Sequence, residues 1–254
     1  MEAFVKSEIK NGIATVTFFH PQSNSLPGVI LRKLADEITS AANNPQVKVI
    51  VLKSEGEKAF CGGASFDELI AIKNFEEGKK FFSGFSFAIN AIRKAPKFVI
   101  ARVHGKAVGG GVGLASAADY TMAVKDASVR LSELALGIGP FVVGPAVERK
   151  VGTSAFTSLT INPTEWKTAD WAREKGLYAD IFPTVDEMDK AISMLAEKLS
   201  QSSPEAMAQL KKVMWEGTEN WDTLLIERAE MSGRLVLSDF TKNYIEKFKA
   251  GVKK

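Results

Sequence analysis

The 254-residue chain has a single cysteine, Cys61, and only two histidines, His20 and His104. One thiol excludes an internal disulfide and a cysteine-rich zinc site, and it suits a reducing compartment. Two isolated histidines without a cysteine cluster offer no metal-ligand constellation. An excess of one charge is lacking too, since 33 lysines and arginines against 30 acids leave +3. That excess is spread along the chain apart from short clusters such as KNFEEGKK and KFKAGVKK. It is too weak to call for a nucleic-acid partner, although single lysines can meet a small anion. No apolar run approaches the roughly 18 to 20 residues that span a bilayer. The opening MEAFVKSEIK is charged from its second residue, without the apolar stretch of a secretory signal. A cytoplasmic protein with no membrane partner is expected.

What is present is the composition of a globular chain, 45% hydrophobic and 25% charged, long enough for one core with a helical appendage. FVKSEIKNGIATVTFFH alternates polar and apolar residues around Asn11 and Gly12, a pair that suits a hairpin turn. LRKLADEITSAANN puts Leu31, Leu34, Ile38 and Ala41 at helical spacing ahead of the β-branched run VKVIVLKSE. Helices over ASFDELIAIKNFEEGKKFFSGFSFAINAIRKA, strands over KFVIARVHGKAV, a small-residue helix over GGVGLASAADY and strands over YTMAVKDASVRL continue the alternation. This order predicts α/β architecture. From about Ser154 the pattern is mostly helical, and the apolar faces carrying Met207, Leu210, Val213, Met214 and Leu224 must bury against the core or another subunit. Trp166, Trp171, Trp215 and Trp221 fall in this third and read as core or subunit contacts.

Glycine is concentrated in two places. HGKAVGGGVGLASAADYTMA sets Gly109, Gly110 and Gly111 in a row, with Gly113 just beyond. Such a cluster between strand and helix either brings backbone N–H groups close to an anion or lets the helix lie tight against a sheet. The dinucleotide pattern G-x-G-x-x-G fails at Leu114, and no Gly-Lys-Ser/Thr follows, which argues against a nucleotide cradle. EKAFCGGASFDEL also leads from strand to helix, so two turns can aim two N–H groups at one oxygen. VRLSELALGIGP sets Glu133 among Leu131, Leu134 and Leu136. It is either an exposed strand-end acid or a carboxyl whose pKa rises in apolar surroundings toward values useful for proton transfer. Asp119 reads as a cap or buried partner, Cys61 as a packing residue, and both histidines as structural. Phe141, Val142 and Val143 read as core or as a pocket wall.

Taken in order and spacing, these segments resemble the enoyl-CoA hydratase/isomerase (crotonase) family over nearly the whole chain. The resemblance is carried by HPQSNSLPGVILRKLADEI, VIVLKSEGEKAFCGGASFDEL, VIARVHGKAVGGGVGLASAADYTMA, SELALGIGP, TADWAREKGLYADIF and SDFTKNYIEKF. It implies a crotonase-like spiral of repeated ββα units over residues 1–190 and a helical C-terminal trimerisation region over 191–254. A homotrimer or dimer of trimers is implied, acting on an acyl-CoA thioester, with CoA entering as part of the substrate and no separate cofactor or metal.

The same resemblance implies that the N–H groups of Ala64 and Gly110 hold the thioester oxygen while Glu133 exchanges a proton with the α-carbon. Gly62, Gly63, Ser65, Gly109, Gly113 and Phe141 would surround the substrate, with the tail pocket drawn notably from segment 67–90. Lys58 matches a position near the ADP part of CoA and Phe248 an aromatic over the adenine, whereas Asp67 stands where many members have another CoA-facing lysine. The commonest hydratases have a second glutamate where this chain has Gly113, and a lone carboxylate suffices for one-base double-bond isomerisation. GGGVGL together with SELALGIGPFVVGPAVERKVG is similar to bacterial hydratases of the methylglutaconyl-CoA type. Water addition is therefore the first expectation, Δ3,Δ2-enoyl-CoA isomerisation the second, and non-catalytic acyl-CoA binding the third.

Overall fold

Asn11 and Gly12 both take positive φ, 52° and 78°, and join strands β1 (Phe4–Lys10) and β2 (Ile13–Phe19) in an antiparallel hairpin. The computed structural model describes residues 1–252, with side chains up to residue 247. After β3 (Ser25–Leu26), helix α1 (Gly28–Asn43) buries one stripe, including Leu31, Leu34 and Ile38, and leads into β4 (Val49–Ser54). Strand β4 is almost wholly buried because helices cover both faces of its sheet, which is why it reads as a continuous apolar run.

The next turn of chain comprises β5 (Ala59–Cys61), β6 (Gly63–Ala64), α2 (Phe66–Ala71) and the long α3 (Phe75–Lys94). Two further ββα units follow: β7 (Phe98–Val103), β8 (Lys106–Val108) and α4 (Gly110–Ala117), then β9 (Tyr120–Val124), β10 (Ser128–Arg130) and α5 (Gly144–Ile161). Each unit gives one strand to a six-stranded sheet, ordered β1-β2-β4-β7-β9-β12 and parallel beyond the hairpin, where β12 is Asp180–Phe182. The second strand goes to a four-stranded sheet ordered β11-β10-β8-β5, with β11 at Lys167–Thr168. This is the α/β crotonase fold, a spiral of ββα units followed by helices.

The helical third is α6 (Ala169–Glu174), α7 (Val185–Ser200), α8 (Pro204–Met214), α9 (Trp221–Leu235) and α10 (Asp239–Val252). Residue 190 lies inside α7, which packs on β4, β7, β9 and β12. Helix α9 crosses α3 where two glycines meet, and a Cβ on Gly78 would stand 2.9 Å from Gly233 Cα. Met207 is buried and Leu224 half-buried against the core, but Leu210, Val213 and Met214 are more than half exposed in the single chain. The expected burial of that α8 face therefore does not occur within one protomer.

Asp119 is the buried partner its position suggests. It accepts the Val99 N–H at 2.7 Å and the Trp215 indole N–H at 2.9 Å, and pairs with the buried Lys211 ammonium at 2.8 Å. Lys211 also donates to the Ile92 and Lys97 carbonyls, tying α8 to the last turn of α3 and to the loop before β7. His104 is buried, and desolvation lowers its pKa to about 4, keeping it neutral. Trp221 is a core residue, whereas Trp166 remains one-third exposed under the side chains of Arg130 and Lys106.

Candidate active site

Four glycines of one helix start each make room for a different neighbour. Gly109 sits at φ 51°, ψ −112°, a region closed to residues with a Cβ, and a Cβ there would come 2.7 Å from Glu133 Oε1. On Gly110 it would strike the Phe85 ring at 2.1 Å, on Gly111 the Cys61 carbonyl oxygen at 2.5 Å, and on Gly113 Val143 Cγ1 at 2.5 Å. The glycine run thus lets a carboxylate, an aromatic ring, β5 and the α5 approach all converge on α4. The close-packing reading of the glycine cluster therefore holds, and the packing gathers these groups at the start of α4.

The second glycine turn faces the first. A Cβ on Gly63 would lie 3.1 Å from the Val108 carbonyl oxygen and 3.9 Å from the Gly110 nitrogen. The N–H groups of Gly62 and Ser65 donate to Asn24 and Leu26 at 3.0 and 2.9 Å, and the Ser25 hydroxyl donates to the Ala64 carbonyl at 2.9 Å. These bonds clamp Ala64 beside the start of α4. Asn24 secures the clamp, since its amide donates to the Glu55 and Ala59 carbonyls while its oxygen accepts the His20 N–H. Across the gap, the Gly109 N–H donates to the Arg130 carbonyl at 2.9 Å, fixing the first glycine turn to β10.

Between the turns lies a cavity of about 200 Å³ whose wall includes Ala64, Gly110, Glu133 and the rings of Phe82, Phe85 and Phe141. Glu133 opens a short 3-10 turn, Glu133–Leu136, closed by Gly137 at φ 79°. As a residue it is half-buried, yet its Oε2 is sealed from solvent and has no hydrogen-bond partner. Desolvation raises its pKa to about 7, against the smaller opposing pull of its own and the Ser132 N–H groups and of the Arg130 charge. Cys61, buried behind the turn, is driven the same way to about 12 and is no nucleophile at neutral pH.

The sequence model of the enoyl-CoA hydratase/isomerase family matches residues 8–251. The chain belongs to that family. A probable enoyl-CoA hydratase of Bacillus subtilis is 29% identical over 238 residues, covering 93% of this chain and 92% of the relative. A peroxisomal Δ(3,5)-Δ(2,4)-dienoyl-CoA isomerase of Arabidopsis thaliana is 28% identical over 197 residues, covering 72% and 69%. The crystal structure of an enoyl-CoA hydratase from Bacillus halodurans shares the fold at a TM-score of 0.88 and 22% identity, covering 96% of this chain and 99% of that one.

In this member of the family, Glu133, Ala64, Gly110, Gly62, Gly63, Gly109 and Phe141 all line this cavity. Two other residues expected at the substrate, Ser65 and Gly113, do not reach its wall. Lys58, expected at the ADP end of CoA, is exposed beside β5. The Ser65 hydroxyl caps α2 by accepting the Glu68 N–H at 3.3 Å, a use signalled by the S-x-x-E spacing of the sequence. Gly113 is screened by Val143. Phe248 lies on α10, and its side chain is outside the described residues. Asp67 is exposed and accepts a hydrogen bond from the Gln22 amide at 2.8 Å.

Segment 67–90 does supply the pocket, through Leu69, Phe81, Phe82 and Phe85. Sequence reasoning did not single out these aromatics. Their spacing of one and four residues puts them on one face of α3, which was the available signal.

Proposed function

We propose that this protein catalyses a one-base proton shuttle on an acyl-CoA thioester, converting a 3-enoyl-CoA to its 2-enoyl isomer. The observation behind this reading is a lone carboxylate, Glu133, with one sealed oxygen, in the wall of a mostly apolar cavity beside two glycine turns. Glu133 removes a proton from the α-carbon, the electron pair shifts toward the thioester carbonyl, and the same carboxyl returns the proton at the γ-carbon. A pKa near 7 leaves a useful fraction of Glu133 ionised at neutral pH without making it too weak a base. Ala64 and Gly110 N–H groups hold the oxygen on which charge develops, each contributing about 3 to 4 kcal/mol as in comparable oxyanion holes. The N-terminus of α4 adds a favourable partial charge there.

Two features support isomerisation ahead of the hydration expected from sequence similarity. Among the described residues lining the cavity, Glu133 is the only carboxylate. A side chain at position 113, where a second glutamate would orient water, would collide with Val143. Hydration is the second reading, favoured by the name of the Bacillus subtilis relative; in that case Glu133 also activates the water. Lys58 is assigned to the ADP end of CoA, and assembly as a homotrimer or dimer of trimers belongs to the same proposal.

Glu133→Gln tests the assignment, because it keeps the shape and removes the base. Turnover of 3-hexenoyl-CoA should fall at least about a thousandfold while hexanoyl-CoA affinity changes less than about threefold. Retained turnover would move the chemistry to another group. Acyl-CoA binding by the wild-type protein with no turnover of either enoyl isomer would mark a binding protein.

A further inference from the structure

Resting on the reading that the cavity receives the acyl end of an acyl-CoA, we propose that its substrate carries an uncharged, apolar acyl chain and that acyl chains ending in a free carboxylate are excluded. Five phenylalanines, Phe66, Phe81, Phe82, Phe85 and Phe141, contribute to the wall, with Phe81 and Phe82 in edge-to-face contact at 4.9 Å between centroids. Two of these rings are seated on glycine backbone, Phe85 on Gly110 and Phe141 on Gly139, where an added Cβ would approach within 2.1 and 2.5 Å. The wall is therefore built tightly in an apolar shape.

No lysine, arginine or histidine occurs among the described residues that line the cavity. Two cations stand outside that wall. Lys79, on the same helix as the phenylalanines, is held by Glu230 at 2.7 Å, and the Arg130 guanidinium, whose charge acts on Glu133 and whose buried Nε has no hydrogen-bond partner, lies 4.3 Å from the Trp166 ring centroid. Of the three lining hydroxyls, those of Ser25, Ser132 and Ser232, that of Ser25 is given to the Ala64 carbonyl, and none supplies a positive charge. A carboxylate carried in on the acyl chain would lose much of its hydration, find no counter-charge in the wall, and share the cavity with Glu133. An apolar chain instead gains from burial, about fourfold in kcat/KM for each added methylene that the cavity accommodates.

The test compares three substrates of matched length with the intact protein: 3-hexenoyl-CoA, the six-carbon 3-enoyl-CoA ending in a carboxylate, and the methyl ester of that acid. Expected kcat/KM values for the first and third agree within about tenfold, and the acid is lower by at least about a hundredfold. An acid turned over within tenfold of its ester overturns the proposal.

Unreactive hexanoyl-CoA, adipoyl-CoA and monomethyl adipoyl-CoA, titrated calorimetrically, separate this claim from the reaction assignment. If hexanoyl-CoA and the ester bind at least about a hundredfold tighter than adipoyl-CoA while no enoyl-CoA turns over, the acyl preference stands and the isomerase reading falls. Comparable affinity for all three overturns the preference even in a working isomerase. Absence of binding by all three overturns both.

Discussion

Glutamine in place of Glu133 should make the protein more stable at pH 8 and change it far less at pH 5. Burial raises this carboxyl from 4.5 to about 7, so between those values the folded chain holds a proton that the unfolded chain has released. The folded state then binds more protons than the unfolded one, and stability falls as pH rises through that window, levelling off above it. A difference of about 2.5 pKa units corresponds to about 3 kcal/mol in all, most of it lost between pH 5 and pH 8. Glu133→Gln carries no such titration. Urea unfolding of both proteins at pH 5, 6, 7 and 8 should show the gap widening in the variant's favour by about 2 to 3 kcal/mol across the series. A gap that stays constant with pH would refute the raised pKa of Glu133. The same variant should be inactive, so stability and chemistry are opposed at this one side chain.

The glycine turn makes a second prediction: Gly109→Ala should cost about 1 to 3 kcal/mol through backbone strain and lower kcat about a hundredfold by displacing Glu133, measured by unfolding and initial rates. Arg130→Gln removes a charge that favours ionised Glu133. The rising limb of the pH–rate profile should move to higher pH, costing roughly threefold in rate at pH 6.5 if the move is about half a unit. Asp119→Ala leaves the Lys211 ammonium buried without its counter-ion, and should destabilise by about 3 to 5 kcal/mol while leaving kcat of the folded fraction unchanged.

Local signals carried much of this architecture. Asn11 and Gly12 adopt the positive φ values that their pairing suggests, and the stripe of Leu31, Leu34 and Ile38 is buried as its spacing requires. Glu133 among leucines could be read as an exposed strand-end acid or as a desolvated carboxyl, and its sealed Oε2 decides for the second. Features that depend on distant partners were not legible. β12 is only three residues long and is a strand because β9 offers it an edge. Gly113 is filled by Val143, thirty positions away, and nothing local announces that contact. Phe81, Phe82 and Phe85 line the cavity from α3, a helix that meets α9 at Gly78 and Gly233, a contact across more than 150 residues. Leu210, Val213 and Met214 have the spacing of a buried face and remain exposed in the single chain, since periodicity marks an apolar stripe without saying what covers it.

The most direct test of the one-carboxylate account is to give the wild-type protein 3-hexenoyl-CoA and, separately, 2-hexenoyl-CoA in oxygen-18 water, following the products by mass spectrometry. The account predicts interconversion of the two enoyl isomers with no heavy oxygen in either. Labelled 3-hydroxyhexanoyl-CoA forming from the 2-enoyl substrate faster than the isomers interconvert would contradict it, and would mean that the site holds and activates water without a second carboxylate.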